Sequence, residues 1–174
     1  MRFRIRQFKK ADFQTLWEID QACFEPQLAY SQKELALYMR RPGSFTLVAE
    51  DEVLSEEDKV DSTHRGSERA AETTASGILG FIVAENRRRT GHIITIDVIE
   101  KARRAGVGSA LLRAAEEKLL QAGATSVALE TPVNNAAAIR FYKSEGYYVE
   151  KTLAGYYSNQ MDALVMTKEL AGTS

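Results

Sequence analysis

Apolar and charged residues alternate at the start of the chain. Phe3-Arg4-Ile5-Arg6 gives one apolar face and predicts a first strand. Asp12 then stands where an N-cap would open a helix through about Cys23, with Phe13, Leu16, Trp17 and Cys23 forming its buried stripe. Ser31-Gln32-Lys33-Glu34 has the spacing of a capping box. It predicts a second helix to about Arg40, ended by Pro42-Gly43. Strands follow at Phe45–Glu50, Gly77–Glu85 and His92–Ile99, the last two joined by a turn through Arg87–Gly91. The near-continuous run Ile93-Ile94-Thr95-Ile96 predicts a central strand. Val107, Leu111, Ala115 and Leu119 recur every four residues, which predicts a helix from about Gly106 to Ala122. Arg113–Glu117 would be an i,i+4 pair on it, and Gly123 would sit at C′. A strand at Ser126–Thr131, a helix at Asn135–Glu145 ended by Gly146, and strands at about Tyr147–Lys151 and Asp162–Lys168 complete the order β-α-α-β-β-β-α-β-α-β-β. That order predicts an α/β fold, a mixed sheet covered by helices.

One stretch breaks the pattern. Residues 51–76 hold eight acids against three bases and no aromatic residue, so this segment is expected to be a disordered acidic insertion within a single domain spanning 1–170. Outside it, 20 bases face 16 acids, and the whole 174-residue chain carries a net charge of −1. A balance so near zero gives no basic field for nucleic acid or an anionic membrane. With 44% apolar residues the chain can build a sizeable core. A single cysteine, Cys23, and two distant histidines, His64 and His92, exclude a disulfide framework and predict no metal site. Cys23 is expected in the core and His64 in solvent. The opening MRFRIRQFKK lacks the apolar region of a signal peptide, and no run approaches a membrane span, so the expected location is cytoplasmic.

The chemistry concentrates in two segments. In the first, the strand residues Ile96-Asp97-Val98 lead into a basic, glycine-bearing turn, Arg103-Arg104-Ala105-Gly106-Val107-Gly108-Ser109, which opens a helix. Free amides and the dipole at a helix start make an anion site, and two glycines let backbone approach phosphate oxygens closely. Leu111 stands where a dinucleotide-binding GxGxxG needs its third glycine, and no GxxxxGK[ST] exists, so the Rossmann and P-loop readings fail. In the second segment, Glu130 ends a strand, and Asn135, Ala138 and Tyr142 follow at spacings that place them on one helix face.

Arg103-x-x-Gly106-x-Gly108 after a strand resembles the acetyl-CoA pyrophosphate loop of the GCN5-related N-acetyltransferases. The element order also resembles that family's fold, a mixed, mostly antiparallel twisted sheet flanked by helices. Glu130-x4-Asn135-x2-Ala138-x3-Tyr142 is similar to a segment of the branch that acetylates ribosomal proteins and N-terminal α-amines. The resemblance implies that residues 96–109, Asn135, Ala138 and Tyr142 hold acetyl-CoA. It also implies that the Tyr142 hydroxyl lies beside the thioester sulfur and that Glu130 acts as base. Tyr156-Tyr157 and Asp162-Ala163-Leu164-Val165-Met166 resemble the same branch's ending, in which the tyrosine pair walls the peptide site. Thr131-Pro132 and Asp97 depart from the branch pattern, which usually has valine and arginine at the first place and a small or neutral residue at the second.

The implied reaction is direct acetyl transfer to an amine, without an acyl-enzyme. A phenol near pKa 10 is protonated at neutral pH and suits Tyr142 to protonating the leaving thiolate. Glu130, with an ordinary glutamate pKa of about 4.3, would work through water or with a raised pKa; His92 and Glu25 compete with it as base, and Glu25 is also placed to meet the acceptor. A backbone amide near Val98 would hold the oxyanion. An α-amine titrates near 8 and a lysine near 10.4, so a single carboxylate relay reaches an N-terminus more readily. The alternatives are a small-molecule amine as acceptor, or an acyl-CoA-binding module without turnover.

Overall fold

The computed structural model describes residues 1–52 and 77–171. The described strands form one seven-stranded sheet in the order β1-β2-β3-β4-β5-β7-β6. They are β1 (Phe3–Gln7), β2 (Ser44–Asp51), β3 (Ile78–Arg87), β4 (Thr90–Val98), β5 (Ser126–Pro132), β6 (Tyr148–Leu153) and β7 (Ala163–Glu169). Only the β4–β5 pairing is parallel. α1 (Phe13–Cys23) and α2 (Gln32–Met39) cover one face, where Leu16, Ile19 and Leu35 pack on Val48, Phe81 and Val83. α3 (Val107–Gln121) and α4 (Ala136–Ser144) cover the other. Val107, Leu111, Ala115 and Leu119 are all buried there, as their spacing predicts.

Four local expectations change. Asp12 does not cap α1 with its side chain. It closes the preceding 3₁₀ turn instead, taking the Lys9 amide at 2.7 Å while Arg6 holds both of its oxygens. Arg113 does not pair with Glu117: its Nε reaches Glu145 at 3.1 Å, a carboxylate fixed by a second helix and so a better-defined partner than one on the same exposed face. Cys23 is half-buried rather than in the core. Asp51, expected to begin the insertion, is the last residue of β2 because it pairs with Phe3. The capping box holds: Ser31 accepts from Glu34 N and Glu34 reaches back to Ser31 N at 2.9 Å.

The functional geometry begins with a failure of pairing. β4 carries an extra residue, Ile94, against β3, since Val83 pairs with Thr95 and Ala84 with Ile93. Its parallel ladder with β5 lasts three pairs, Thr90–Ser126, Gly91–Val127 and His92–Ala128, and then stops. β5 stays paired with β7 as far as Pro132, and β4 with β3 up to Val98. Past His92, therefore, two strands in mid-sheet part and leave a wedge edged by unpaired backbone groups.

The rest of the expected insertion and His64 lie outside the described residues. Its flanks meet directly: Asp51 N donates to Gly77 O at 2.8 Å. Joining Glu52 to Gly77 by a short turn in place of residues 53–76 should keep the melting temperature or raise it, because each halving of a closed loop's length favours folding by about 0.6 kcal/mol. Thermal melts of the shortened chain check this, and a drop of ten degrees or more would show that the segment supports the core.

Candidate functional site

At the end of β4 the chain passes through a 3₁₀ turn, Glu100–Ala102, into the exposed loop 103–106 and then α3. Arg104 and Gly106 take positive φ, +61° and +83°. Left-handed residues of this kind can turn successive amides towards one side, and these stand at the head of a 15-residue helix, a geometry able to receive an anion. Gly106 fits that conformation without strain; at Gly108, a Cβ would already touch the Phe141 ring at 3.4 Å. Arg103, expected to add charge to the loop, folds inward: its Nε donates to Val98 O at 3.0 Å and its Nη2 reaches Cys23 Sγ at 3.7 Å. Cys23 also points to the Val98 carbonyl, at 3.5 Å. The Ser109 hydroxyl is likewise engaged, donating to Glu145 at 2.6 Å.

Across the wedge stands α4. Asn135 caps it, accepting from Ala138 N at 3.1 Å, so its side-chain oxygen is committed to the helix. Tyr142 is buried, with Phe141 and Tyr147 against its ring. Burial first, then the charges of Asp97 and Tyr157, push its phenol well above its ordinary pKa. A phenol so placed stays protonated and keeps a proton to donate.

Two competing base candidates turn out to be one unit. His92 Nε2 and Glu130 Oε2 lie 2.6 Å apart, held by the last pairs of the β4–β5 ladder. With Glu130 ionised, Nε2 carries the proton between them. His92 Nδ1 is buried without a partner, whereas the Glu130 side chain retains 21% of its exposure, so the carboxylate is the member that meets incoming molecules. Tyr156 and Tyr157 meet edge to face at 5.0 Å in the β6–β7 loop. Burial, and then the neighbouring Tyr156 and the Glu130 charge, raise the Tyr157 pKa. Glu25 is exposed in the α1–α2 loop, where its carbonyl closes a turn on Leu28 and Ala29. Electrostatics link Glu130 to Tyr156 and Tyr157, and Tyr157 and Asp97 to Tyr142, whereas Asp97 lies towards the loop end of β4, next to Val98, whose carbonyl Arg103 holds. The α1–α2 loop that carries Glu25 meets the β6–β7 loop where Ser158 donates to Gln27 O at 3.3 Å.

Two buried acids accompany this cluster. Asp97 lies on β4 opposite Phe81, on the face that α1 covers, and takes only the Thr95 hydroxyl, at 3.2 Å. Asp20, on α1, accepts from Tyr30 N at 2.8 Å and from Gln21. Each keeps one buried oxygen without a partner. Burial pushes Asp20 up to about 6, and burial together with the Asp20 charge pushes Asp97 well above the usual carboxylate range. Sequence reasoning missed Asp20. The available signal was an acid four residues after Leu16, on the apolar stripe. Tyr30 and Tyr38, with ring centroids 5.1 Å apart, form a further aromatic pair that no motif announced. Among the described residues no group of side chains could hold a metal ion.

The model of the "Acetyltransferase (GNAT) family" matches residues 13–147. An N-alpha-acetyltransferase of Sulfurisphaera tokodaii is 39% identical over 83 residues, 47% of this chain and 50% of that one. The chain thus spans about half the length of that curated relative. Ard1 from Thermoplasma volcanium is similar in structure, with a TM-score of 0.76 and 27% identity, over 99% of this chain and 100% of that one. Arabidopsis thaliana NAA60, solved in complex with acetyl-CoA, shares the fold at a TM-score of 0.75 and 18% identity, over 98% of this chain and all of that one.

The buried acids make stability depend on pH. A carboxyl with a raised folded-state pKa favours the fold most when protonated; that stability is full below the unfolded pKa near 3.9 and is lost as pH rises through the raised value. For Asp20 the loss runs from about pH 4 through about 6. In Asp20→Asn the melting temperature should fall less than in the wild type over that window. An identical slope in both proteins would mean that Asp20 is already ionised in the fold.

Proposed function

The chain belongs to the acetyltransferase (GNAT) family, and from that membership and the geometry of the wedge we propose that it transfers acetyl from acetyl-CoA directly to a primary amine, the α-amine of a peptide or protein N-terminus. One observation carries the reading: just past the last β4–β5 ladder pair stands a partly exposed Glu130 held by His92, and Tyr157 feels both that carboxylate and the buried Tyr142 phenol. The relatives named N-alpha-acetyltransferase support the choice of amine.

Each requirement of the reaction has a residue suited to it. Loop 103–108 and the head of α3 are suited to the pyrophosphate. The unpaired edge of β4 past His92 offers backbone groups to an extended amide-bearing arm, as an added strand would use them. The acceptor must lose a proton, because an ammonium has no lone pair. Glu130 takes it, directly or through one water, and the His92 Nε2–H bond fixes the carboxylate that receives it. The amine nitrogen then bonds to the acetyl carbon and the carbon–sulfur bond breaks. Tyr142 gives its hydroxyl proton to the leaving sulfur, and the second proton of the nitrogen, shed as the amide forms, restores the phenol through solvent. Tyr156 and Tyr157 form the wall against which the acceptor backbone rests.

The test mixes peptide N-termini, small amines and acetyl-CoA and follows thiol release. Release with peptides sustains the proposal, release only with small amines moves it to that class of acceptor, and binding of acetyl-CoA without release leaves a non-catalytic module. Tyr142→Phe keeps the ring and should lower turnover by roughly two to four orders of magnitude with acetyl-CoA affinity little changed. Glu130→Gln should also lower it, by a deficit that shrinks as pH rises towards 9 and more amine is already neutral. A pH–rate profile beside melting curves checks both. Normal turnover in Tyr142→Phe would remove the hydroxyl from the mechanism, and a constant deficit in Glu130→Gln would make that residue an acceptor-positioning group instead.

A further inference from the structure

Glu145 lies just past the end of α4, three residues after Tyr142, yet both of its oxygens are held by α3. Ser109 Oγ donates to Oε1 at 2.6 Å and Arg113 Nε to Oε2 at 3.1 Å. The carboxylate is 7% exposed although Arg113 is 70% exposed. Burial opposes its ionisation, but the Ser109 and Arg113 bonds, with the charges of Arg113 and Lys168, hold it below the usual glutamate range. Its own amide closes α4 on the carbonyls of Phe141 and Tyr142. A second contact lies alongside, where the Phe141 ring covers Gly108. The first turn of α3 is thus fastened, through one carboxylate and one ring, to the helix that carries Tyr142.

We infer that Glu145 is a positioning residue that fixes Tyr142 relative to the phosphate-binding helix start, and that it does so as a resident anion at a place where the cosubstrate brings negative charge. The inference rests on the functional reading above. Its two consequences have opposite signs. Fastening α4 to α3 sets the distance between the bound pyrophosphate and the phenol, so loosening it should slow proton delivery, and displacement of a reacting group by about 1 Å can cost on the order of 100-fold. The negative charge, set among the first residues of α3, meanwhile opposes every phosphate that docks there and takes up Ser109 Oγ and Arg113, both otherwise free to favour an anion. A group that only supported the fold would weaken cosubstrate binding and turnover together.

The experiment compares wild type, Glu145→Gln and Glu145→Ala, each also in a Tyr142→Phe background. It measures acetyl-CoA affinity by calorimetry at low and high salt, kcat at saturating acetyl-CoA, and melting curves. Glu145→Gln keeps an oxygen for Ser109 and removes the charge. It should bind acetyl-CoA about fivefold more tightly at low salt, a gain that shrinks at high salt. Glu145→Ala, which also loses the Ser109 bond, should lose about 10- to 100-fold in kcat, with Gln restoring much of it. In the Tyr142→Phe background Glu145→Ala should cost almost nothing further, because the residue acts through that hydroxyl. Unchanged or weaker binding in Glu145→Gln overturns the resident-anion part, and an undiminished kcat loss in the Tyr142→Phe background overturns the positioning part. If Glu145→Ala fails to fold, Glu145→Gln and Arg113→Ala carry the same comparison. If the wild type transfers acetyl to no amine, the functional reading fails, and the affinity arm alone decides whether Glu145 opposes the anion.

Discussion

Backbone amides and carbonyls withdrawn from water need partners, and the middle of a sheet is where they usually find them. This fold breaks that rule at one place. β4 and β5 share three ladder pairs and then diverge, with the extra residue Ile94 bending β4 against β3 just where pairing ends. Everything identified as the site follows from this divergence. His92 and Glu130 face each other because they stand at its apex. The head of α3 lies at its far end because β4 runs into that helix. Closing the ladder would satisfy the backbone and erase the site.

Around the wedge the protein arranges its titratable groups by how much water each keeps. Tyr142 is deeply buried and remains a phenol; Glu130 keeps a share of solvent and a histidine partner. Asp97 and Asp20 are buried with one bare oxygen each and lean towards their neutral forms. Such oxygens are normally a cost to folding. Here one lies on α1 and the other near the end of β4, each a break with the local rules that an unstrained core keeps.

The elements were readable because each carried its own period or cap. The four-residue recurrence of Val107, Leu111, Ala115 and Leu119, the Ser31–Glu34 box and the run Ile93–Ile96 all name their structures locally. The strand–turn–helix form of the glycine-bearing loop and of the Glu130–Tyr142 segment was readable as well, since both are contiguous and their spacing maps directly onto those elements. What stayed hidden depends on elements distant in sequence. Nothing near Arg113 says that its partner is Glu145 rather than Glu117, because the choice is made by the packing of two helices. His92 and Glu130 looked like rivals because a sequence gives no register between β4 and β5. Asp20 was in plain view on an apolar stripe, but its partner Tyr30 N belongs to a loop that periodicity does not describe.

That loop has one more property. Tyr30 is tied at its amide by Asp20 and at its carbonyl by Trp17 at 3.0 Å and Gln21 at 2.7 Å, while Gln27 accepts a bond from Ser158 in the β6–β7 loop at 3.3 Å. The two irregular segments that flank the mouth of the wedge are therefore cross-braced before anything arrives. Their ordering entropy is spent during folding and not at encounter, which favours fast, reversible capture over slow remodelling. A mouth of fixed shape discriminates by rejecting what does not fit, so changes in selectivity should arise from side chains that reshape the rim while the hinge-free loops keep their course.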